Sequence, residues 1–273
     1  MTQPSAPAIV FTDLDGTLLD HETYCFDPAR PALTFLRERG IPVILASSKT
    51  AAEIADLRDR IGFAECPAIV ENGAGILEPG EAPDDMAPVH ADLLSRLSTV
   101  SETLRRHFSG FSDWTVPELV ARTGLSPEAA EKAAQRRFTE PGVWSGTAAE
   151  RASFEVALAE RGVAARFGGR YLTLSFGATK ADRMREITMR YATPDCRPFV
   201  IALGDAPNDV EMLEAADHGV LVANPHGVAI PTFGGERNGR VVRTEKPGPT
   251  GWNDAIQRLI EEKRMNGELK ADG

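Results

Sequence analysis

Apolar and polar positions alternate along the first eighty residues as strands and helices would in turn. Short apolar runs rich in β-branched residues predict buried strands at residues 8–11, 41–46 and 67–71. Between them, apolar residues recur at helical spacing over 28–39 and 50–61, and a glycine follows each stretch. Strands that alternate with helices predict an α/β fold with a doubly wound parallel sheet, in which ligands bind beyond the carboxyl ends of the strands.

The pattern changes after residue 77, where a stretch rich in Pro, Gly and acidic residues predicts a linker over 77–88. Beyond it, the sequence predicts a mixed block of helices at 91–108, 117–123, from Ser126-Pro127 onwards and at 148–161, with short strands at 142–145 and 170–175. The parallel-sheet rhythm then resumes with helices at 180–191, 210–216 and 252–263 and strands at 198–203, 219–223 and 241–242. We therefore predict a core formed by residues 1–82 and 179–273, interrupted by an inserted α+β cap domain at 83–178.

Two aspartates end the first predicted strand. Asp13 and Asp15 are separated by one residue, so both side chains start on the same side of an extended backbone, and Gly16 lets the chain turn away. At about 4 Å and an effective dielectric of about 20, two such charges repel by about 4 kcal/mol. A proton, a lysine or a metal ion must therefore neutralise them, unless the segment is only an Asp-Gly turn in solvent.

Further polar groups follow other predicted strands or open a predicted helix. Ser47 offers a hydroxyl at a strand-to-helix turn, where backbone N–H groups suit a phosphate. Lys180 opens a helix, an unfavourable place for a cation unless it faces an anion. Asp205 and Asp209 follow the strand at 198–203 and bring the carboxylates to four. That much negative charge in one cleft predicts a hard cation, and Mg²⁺ suits oxygen ligands while keeping positions for a substrate phosphate.

Composition narrows the classes of partner. The 273 residues are 42% hydrophobic and 26% charged, enough for one large domain or two modest ones. The formal net charge of -10 argues against binding to nucleic acid or to an anionic membrane. The sequence has no long apolar run and no signal-peptide pattern, so we predict a cytoplasmic protein. Three widely spaced cysteines indicate neither a disulfide framework nor a zinc site.

The candidate residues occur in the order of four known motifs. Asp13-Leu14-Asp15-Gly16-Thr17, the serine after the second strand, the lysine after the cap and Gly204-Asp205-x-x-Asn208-Asp209 resemble the haloacid dehalogenase superfamily in its phosphatase branch. The insertion is similar to the cap that phosphosugar phosphatases carry. A narrower resemblance is to the mannosyl-3-phosphoglycerate phosphatase family, through residues 43–50, 71–74, 123–126, 137–141, 169–171 and 248–252.

This resemblance implies a Mg²⁺-dependent phosphatase that hydrolyses a glycosyl-3-phosphoglycerate to glycosylglycerate and phosphate. Asp13 would be the nucleophile that forms an aspartyl-phosphate, and Asp15 would serve as general acid and then general base. Asp13, the backbone carbonyl of Asp15 and Asp205 would bind Mg²⁺, with Asp209 in the coordination sphere or just behind it.

The resemblance also implies the groups that contact the substrate. Ser47 and Lys180 would stabilise the transferring phosphoryl oxygens, and Asn208 would position the phosphate. The serine doublet leaves open whether Ser47 or Ser48 makes the phosphate contact, although alignment on the preceding strand favours Ser47. Arg170, in the cap, would suit the glycerate carboxylate.

The expected partner is a small phosphorylated sugar-glycerate, with no nucleic acid or membrane, for a monomer or weak homodimer. Three alternatives stay open: a broader sugar-phosphate phosphatase, a phosphosugar mutase and a non-catalytic phosphate-binding protein. The sequence does not distinguish a mannosyl from a glucosyl substrate.

Overall fold

The computed structural model describes residues 8–82, 87–168, 170–194 and 196–265. The strands in chain order are β1 Ala8–Thr12, β2 Val43–Leu45, β3 Ala68–Val70, β4 Gly75–Leu77, β5 Phe108–Gly110, β6 Glu140–Trp144, β7 Ala164–Gly168, β8 Tyr171–Ser175, β9 Phe199–Gly204, β10 His218–Ala223 and β11 Val241–Pro247. The helices are α1 Arg30–Glu38, α2 Ala51–Ile61, α3 Pro88–Ser98, α4 Glu102–Arg105, α5 Val116–Thr123, α6 Pro127–Ala134, α7 Ala148–Ala159, α8 Lys180–Tyr191, α9 Val210–Ala215, α10 Gly234–Arg237 and α11 Gly248–Met265. Among these described helices, none combines the length and the apolar character needed to cross a lipid bilayer.

Contacts within the chain divide it into two units. The first contains residues 1–47, 58–69 and 180–273, and the second contains 48–57 and 70–179. The division falls inside α2 and β3, so part of the segment predicted to belong to the core has most of its contacts in the second unit. The predicted start of the cap, at residue 83, lies outside the described residues, and the domain boundaries stay a prediction.

The first unit is built on a parallel sheet with the strand order β11-β10-β9-β1-β2. Thr12 at the end of β1 lies opposite Leu203 of β9 on one side and Leu45 of β2 on the other. An isolated parallel bridge from Ala46 to Ile69 extends the pairing beyond β2. The predicted α/β class is thus confirmed. β9, β10 and β11 lie on one side of β1, and β2 lies on the other. The strand order therefore reverses direction at β1, and a crevice for ligands opens at such a reversal.

A buried tryptophan fixes the end of β1. Trp252 on α11 is fully buried, and its indole Nε1 donates a hydrogen bond to Thr12 Oγ1 at 2.9 Å. The Thr12 hydroxyl donates in turn to the backbone carbonyl oxygen of Asp13 at 2.8 Å. The hydrogen bond from α11 to Thr12 therefore helps to fix the backbone at Asp13, the first candidate site residue.

The second unit contains an antiparallel sheet with the order β5-β6-β8-β7. Alternate residues of β8, Leu172 and Leu174, pack into a core with Phe108 of β5 and Phe154 of α7. A smaller core forms around Leu119, between α5 and α6. The predicted mixture of helices and short strands in this part of the chain is confirmed.

Several details of the second unit differ from the sequence prediction, among them β4, which was not predicted and includes Leu77 of the predicted linker. The helix predicted over 91–108 is wrong, because α3 ends at Ser98, where the Thr99 hydroxyl donates to the Arg96 carbonyl oxygen at 2.8 Å and competes with the helical pattern. Phe108, predicted to end that helix, begins β5 and stacks on Phe154 with ring centroids 5.7 Å apart. Strand β7 was not predicted, because it is an edge strand whose Phe167 is 54% exposed and shows no apolar alternation.

Candidate active site

Asp13 lies at the carboxyl end of β1 and shares a lysine with Asp209. Its backbone N–H donates to the Leu203 carbonyl oxygen of β9 at 2.9 Å, which places it between the two central strands. Lys180, the first residue of α8, donates through Nζ to Asp13 Oδ1 and to Asp209 Oδ1, both at 2.6 Å. Lys180 is only 2% exposed and both carboxylates are buried. The lysine at the helix start therefore faces two anions, as its unfavourable position predicted.

Burial and the opposite charge nearby shift the pKa values of Asp13 and Lys180 in opposite directions. Burial raises the pKa of Asp13 well above its ordinary value, with the Lys180 ammonium opposing the rise and the Asp209 and Asp205 carboxylates adding to it. Burial alone would lower the pKa of Lys180, but the carboxylates of Asp13 and Asp209 raise it above its ordinary value. Lys180 is therefore a permanent cation in a cluster that carries more negative than positive charge.

Asp209 holds the turn that follows β9. While Oδ1 accepts from Lys180, Oδ2 accepts from the backbone N–H groups of Asp205 and Ala206 at 3.1 Å each. A Cβ on Gly204 would lie 2.4 Å from the Cβ of Asp209, so this turn requires glycine. Both oxygens of Asp209 thus accept from donors of the protein itself, so that Asp209 fixes both the turn and the Lys180 ammonium.

Asp205, in contrast, is held by side chains. The Thr17 hydroxyl donates to Oδ1 and the Asn224 amide donates to Oδ2, both at 2.6 Å. Burial raises the pKa of Asp205, and these two hydrogen bonds act against the rise. Sequence reasoning missed both donors as site residues. Asn224 is nevertheless the first polar residue after the strand predicted at 219–223, and so it met the strand-end criterion, namely a polar residue directly after a predicted strand.

The acidic side chains at this edge of the sheet fit a divalent cation. Carboxylate oxygens of Asp13, Asp205 and Asp209 lie within 4.8 Å of one another, and all three residues are buried. Three buried carboxylates face one buried ammonium, so the cluster lacks positive charge. A set of oxygen donors with a negative excess matches the preference of Mg²⁺.

Asp15 and Ser47 lie in the same unit. Asp15 is partly buried and precedes the turn closed by the Gly16 N–H, which donates to the Leu19 carbonyl oxygen at 2.9 Å. Ser47 is buried directly after the bridge residue Ala46. Its N–H donates to the Ile69 carbonyl oxygen at 3.0 Å, so this backbone donor is engaged by the sheet, and the hydroxyl is the group of Ser47 that could contact a phosphate.

The other predicted site residues are more exposed. Asn208 lies in the short 3₁₀ turn Pro207–Asp209, and Ser48 lies in the second unit. Arg170, also in the second unit, donates from Nη2 to the Thr123 carbonyl oxygen at 3.3 Å, and its guanidinium carbon lies 5.7 Å from the centre of the Tyr171 ring. These contacts give Arg170 a local structural role at the end of α5.

One family profile matches this chain over residues 10–135 and 167–230, more than half of its length, and it describes a haloacid dehalogenase-like hydrolase. The chain belongs to the haloacid dehalogenase-like hydrolase family. The matched ranges of this hydrolase include Asp13, Asp15, Lys180, Asp205 and Asp209.

Solved structures share the fold of the hydrolase at low sequence identity. A hypothetical protein from Geobacillus kaustophilus is 19% identical, with a TM-score of 0.65 over 93% of this chain and 99% of that one. The sucrose-phosphatase of Synechocystis sp. PCC6803, solved with sucrose and phosphate, is 17% identical, with a TM-score of 0.59 over 93% and 98%. BT1666 from Bacteroides thetaiotaomicron is 18% identical, with a TM-score of 0.59 over 96% of each chain. The predicted haloacid dehalogenase-like fold is thus confirmed.

Proposed function

We propose that this hydrolase is a Mg²⁺-dependent phosphatase that converts a glycosyl-3-phosphoglycerate, mannosyl or glucosyl, into glycosylglycerate and phosphate. The observation that carries the reaction type is a buried aspartate at the end of β1, held at 2.6 Å by a lysine that also binds Asp209. Family membership supports hydrolysis. The choice of substrate rests on the sequence resemblance to mannosyl-3-phosphoglycerate phosphatases.

Asp13 acts as the nucleophile in this mechanism. Lys180 holds Oδ1, which orients the other carboxylate oxygen for attack on phosphorus. The new oxygen–phosphorus bond forms as the bond from phosphorus to the 3-oxygen of glycerate breaks, and Asp15 gives its proton to that oxygen. Asp15 then removes a proton from water, whose oxygen attacks phosphorus and releases phosphate from Asp13.

The residues around Asp13 bind the metal ion and stabilise the negative charge of the phosphoryl group. Asp13, the carbonyl of Asp15 and Asp205 would bind Mg²⁺, which when present supplies the positive charge that lets a phosphate anion approach a carboxylate. Ser47 and Lys180 donate hydrogen bonds to the phosphoryl oxygens, and Asp209 keeps Lys180 charged and fixed.

Three further residues contact the substrate in this proposal. Asn208 positions the phosphate, and Ser48 is the alternative to Ser47 as its hydroxyl donor. Arg170 binds the glycerate carboxylate with the guanidinium nitrogens that do not donate to Thr123.

Replacement of the nucleophile tests the reaction type. Asp13→Asn should retain less than about a thousandth of the wild-type kcat for phosphate release, because an amide cannot form the phosphoenzyme. Asp254→Asn is the control, since Asp254 is 40% exposed and pairs at 2.7 Å with Lys246, which is 61% exposed. A residual kcat in Asp13→Asn above one thousandth, with the protein folded, would exclude nucleophilic catalysis by Asp13.

A substrate panel tests the specificity. Phosphate release should be fastest in kcat/KM with mannosyl- or glucosyl-3-phosphoglycerate, should stop in EDTA and should return with Mg²⁺. Arg170→Ala should raise KM for these substrates far more than for a phosphate ester of an uncharged alcohol.

The panel also identifies the alternatives. Equal or better kcat/KM with simple sugar phosphates would favour a broader sugar-phosphate phosphatase, a candidate that the likeness to a sucrose-phosphatase also supports. Transfer of phosphate within the sugar, dependent on a bisphosphate and without free phosphate, would identify a mutase.

A further inference from the structure

Asp205 is enclosed by two donors that approach from different strands. Thr17 follows β1 and donates to Oδ1, whereas Asn224 follows β10 and donates to Oδ2. With one donor on each oxygen, the carboxylate cannot rotate without breaking at least one hydrogen bond of 2.6 Å. The orientation of Asp205 is therefore set by residues from outside its own turn.

The orientation of the Asn224 amide follows from its other hydrogen bond. Asn224 Oδ1 accepts from the backbone N–H of His226 at 2.9 Å, so its NH₂ group must face Asp205. With the amide reversed, its NH₂ group would face the His226 N–H and its oxygen would face the Asp205 carboxylate, and neither hydrogen bond would form. Asn224 thus joins the loop after β10 to the carboxylate, and its donor cannot turn away.

Two glycines make room for this hydrogen bond. Gly16 has a φ of +84°, and a Cβ there would lie 2.7 Å from both Asn224 Nδ2 and Asp205 Oδ2. A Cβ on Gly227 would lie 3.2 Å from Asn224 Cγ and Nδ2. The backbone on both sides of Asn224 thus packs too closely for any other residue type to be accommodated without movement.

We propose that Asn224 is a positioning residue that fixes the Asp205 carboxylate in its metal-binding orientation and so sets the affinity for Mg²⁺. This inference rests on the proposed metal dependence but goes beyond it, because it assigns a role to a residue that the proposed mechanism does not use. Partners that orient a metal-binding side chain typically change metal affinity by about 10- to 100-fold when they are removed.

The test is calorimetric titration of the unliganded protein with Mg²⁺. Asn224→Ala should weaken Mg²⁺ binding at least about tenfold, while kcat at saturating Mg²⁺ stays within about threefold of wild type. Asn238→Ala is the matched control. Asn238 Oδ1 accepts from the backbone N–H of Arg240 at 3.1 Å, as Asn224 Oδ1 accepts from that of His226, but the loop of Asn238 contains no site residue. The control should bind Mg²⁺ as the wild type does. Asn224→Leu, which has the same branched shape and number of side-chain heavy atoms, gives a second measurement if the alanine variant does not fold, and the same loss of affinity is expected.

The outcomes separate this inference from the proposed function. Wild-type Mg²⁺ affinity in a folded Asn224 variant would overturn the role of Asn224 and leave the phosphatase proposal intact. A weakened kcat that excess Mg²⁺ does not restore, with unchanged Mg²⁺ affinity, would also overturn it. Absence of Mg²⁺ binding by the wild-type protein would overturn both.

Discussion

Removal of the Lys180 ammonium is the most informative perturbation of the site. Lys180→Met keeps an unbranched apolar chain but removes the ammonium, which leaves the carboxylates of Asp13 and Asp209 without their shared partner, at a position where lysine is 2% exposed. Breaking a buried ion pair from one side costs about 3 to 5 kcal/mol, because the remaining charge is buried and uncompensated. We expect a loss of this size in the free energy of unfolding, measured without metal at pH 8.

The loss should shrink as the pH falls. Lys180 lowers the pKa of Asp13, so its removal raises that pKa further above the ordinary value of 3.8. The folded variant then binds a proton that the unfolded chain has already released. Stability tied to a raised pKa is fully present below the unfolded value and is lost as the pH rises through the folded value. Burial already raises the pKa of Asp13 in the wild type, so the loss should shrink by up to about 1.4 kcal/mol per pH unit over the pH range in which only the variant binds this proton.

Urea denaturation in EDTA at pH 5 and pH 8, followed by circular dichroism, measures both effects. Lys246→Met is the control, since its pair with Asp254 has a similar distance of 2.7 Å but side chains that are 61% and 40% exposed. That exposed pair should contribute less than about 1 kcal/mol, with little dependence on pH. The reasoning is refuted if Lys180→Met costs no more than Lys246→Met at pH 8, or if its cost is the same at both pH values.

Two further predictions concern the packing of Gly16 around the site and the reactivity of the thiols. Gly16→Ala should lower the free energy of unfolding by more than about 2 kcal/mol, because it adds a Cβ at a φ of +84° and against a bonded pair of side chains. Gly40→Ala, at a φ of +62° with no atom within 4 Å, should cost only about 1 kcal/mol, and equal costs would contradict the close packing. Burial raises the pKa of the Cys66 thiol to about 12, so Cys66 should resist a disulfide reagent at pH 8 in the native protein, whereas exposed Cys196 reacts. Stability should also fall as the pH rises from 9 towards 12, since the unfolded chain releases the Cys66 proton first, and a Cys66→Ala variant that keeps the full slope would contradict this assignment.

The strand-end criterion predicted much of the candidate site. Asp13 and Asp205 follow β1 and β9, which are hydrogen-bonded neighbours, and Lys180 begins α8 as expected. Local sequence was sufficient here, because apolar runs that end in polar residues define parallel strands, and the carboxyl ends of such strands meet at one edge of the sheet.

The same reasoning failed where partners distant in sequence decide the outcome. Phe108 has a helical sequence context but becomes a strand residue because β6 pairs with it. The position of Asn224 after a predicted strand does not identify Asp205 as its partner, and nothing near Asp209 in the sequence indicates that Lys180 donates to one of its oxygens. Hydrogen-bond partners of this kind exist only once the sheet order and register are set.

The sequence by itself determined the parallel α/β architecture, the order of the acidic and basic residues along it and the sign of the charge at the strand ends. Only the tertiary structure decided which of those acids takes which partner: Asp13 and Asp209 share Lys180, while Asp205 is held by Thr17 and Asn224. The physical reason is that element formation depends on residues close in the sequence, whereas compensation of a buried charge depends on which donors the folded backbone brings within hydrogen-bond distance.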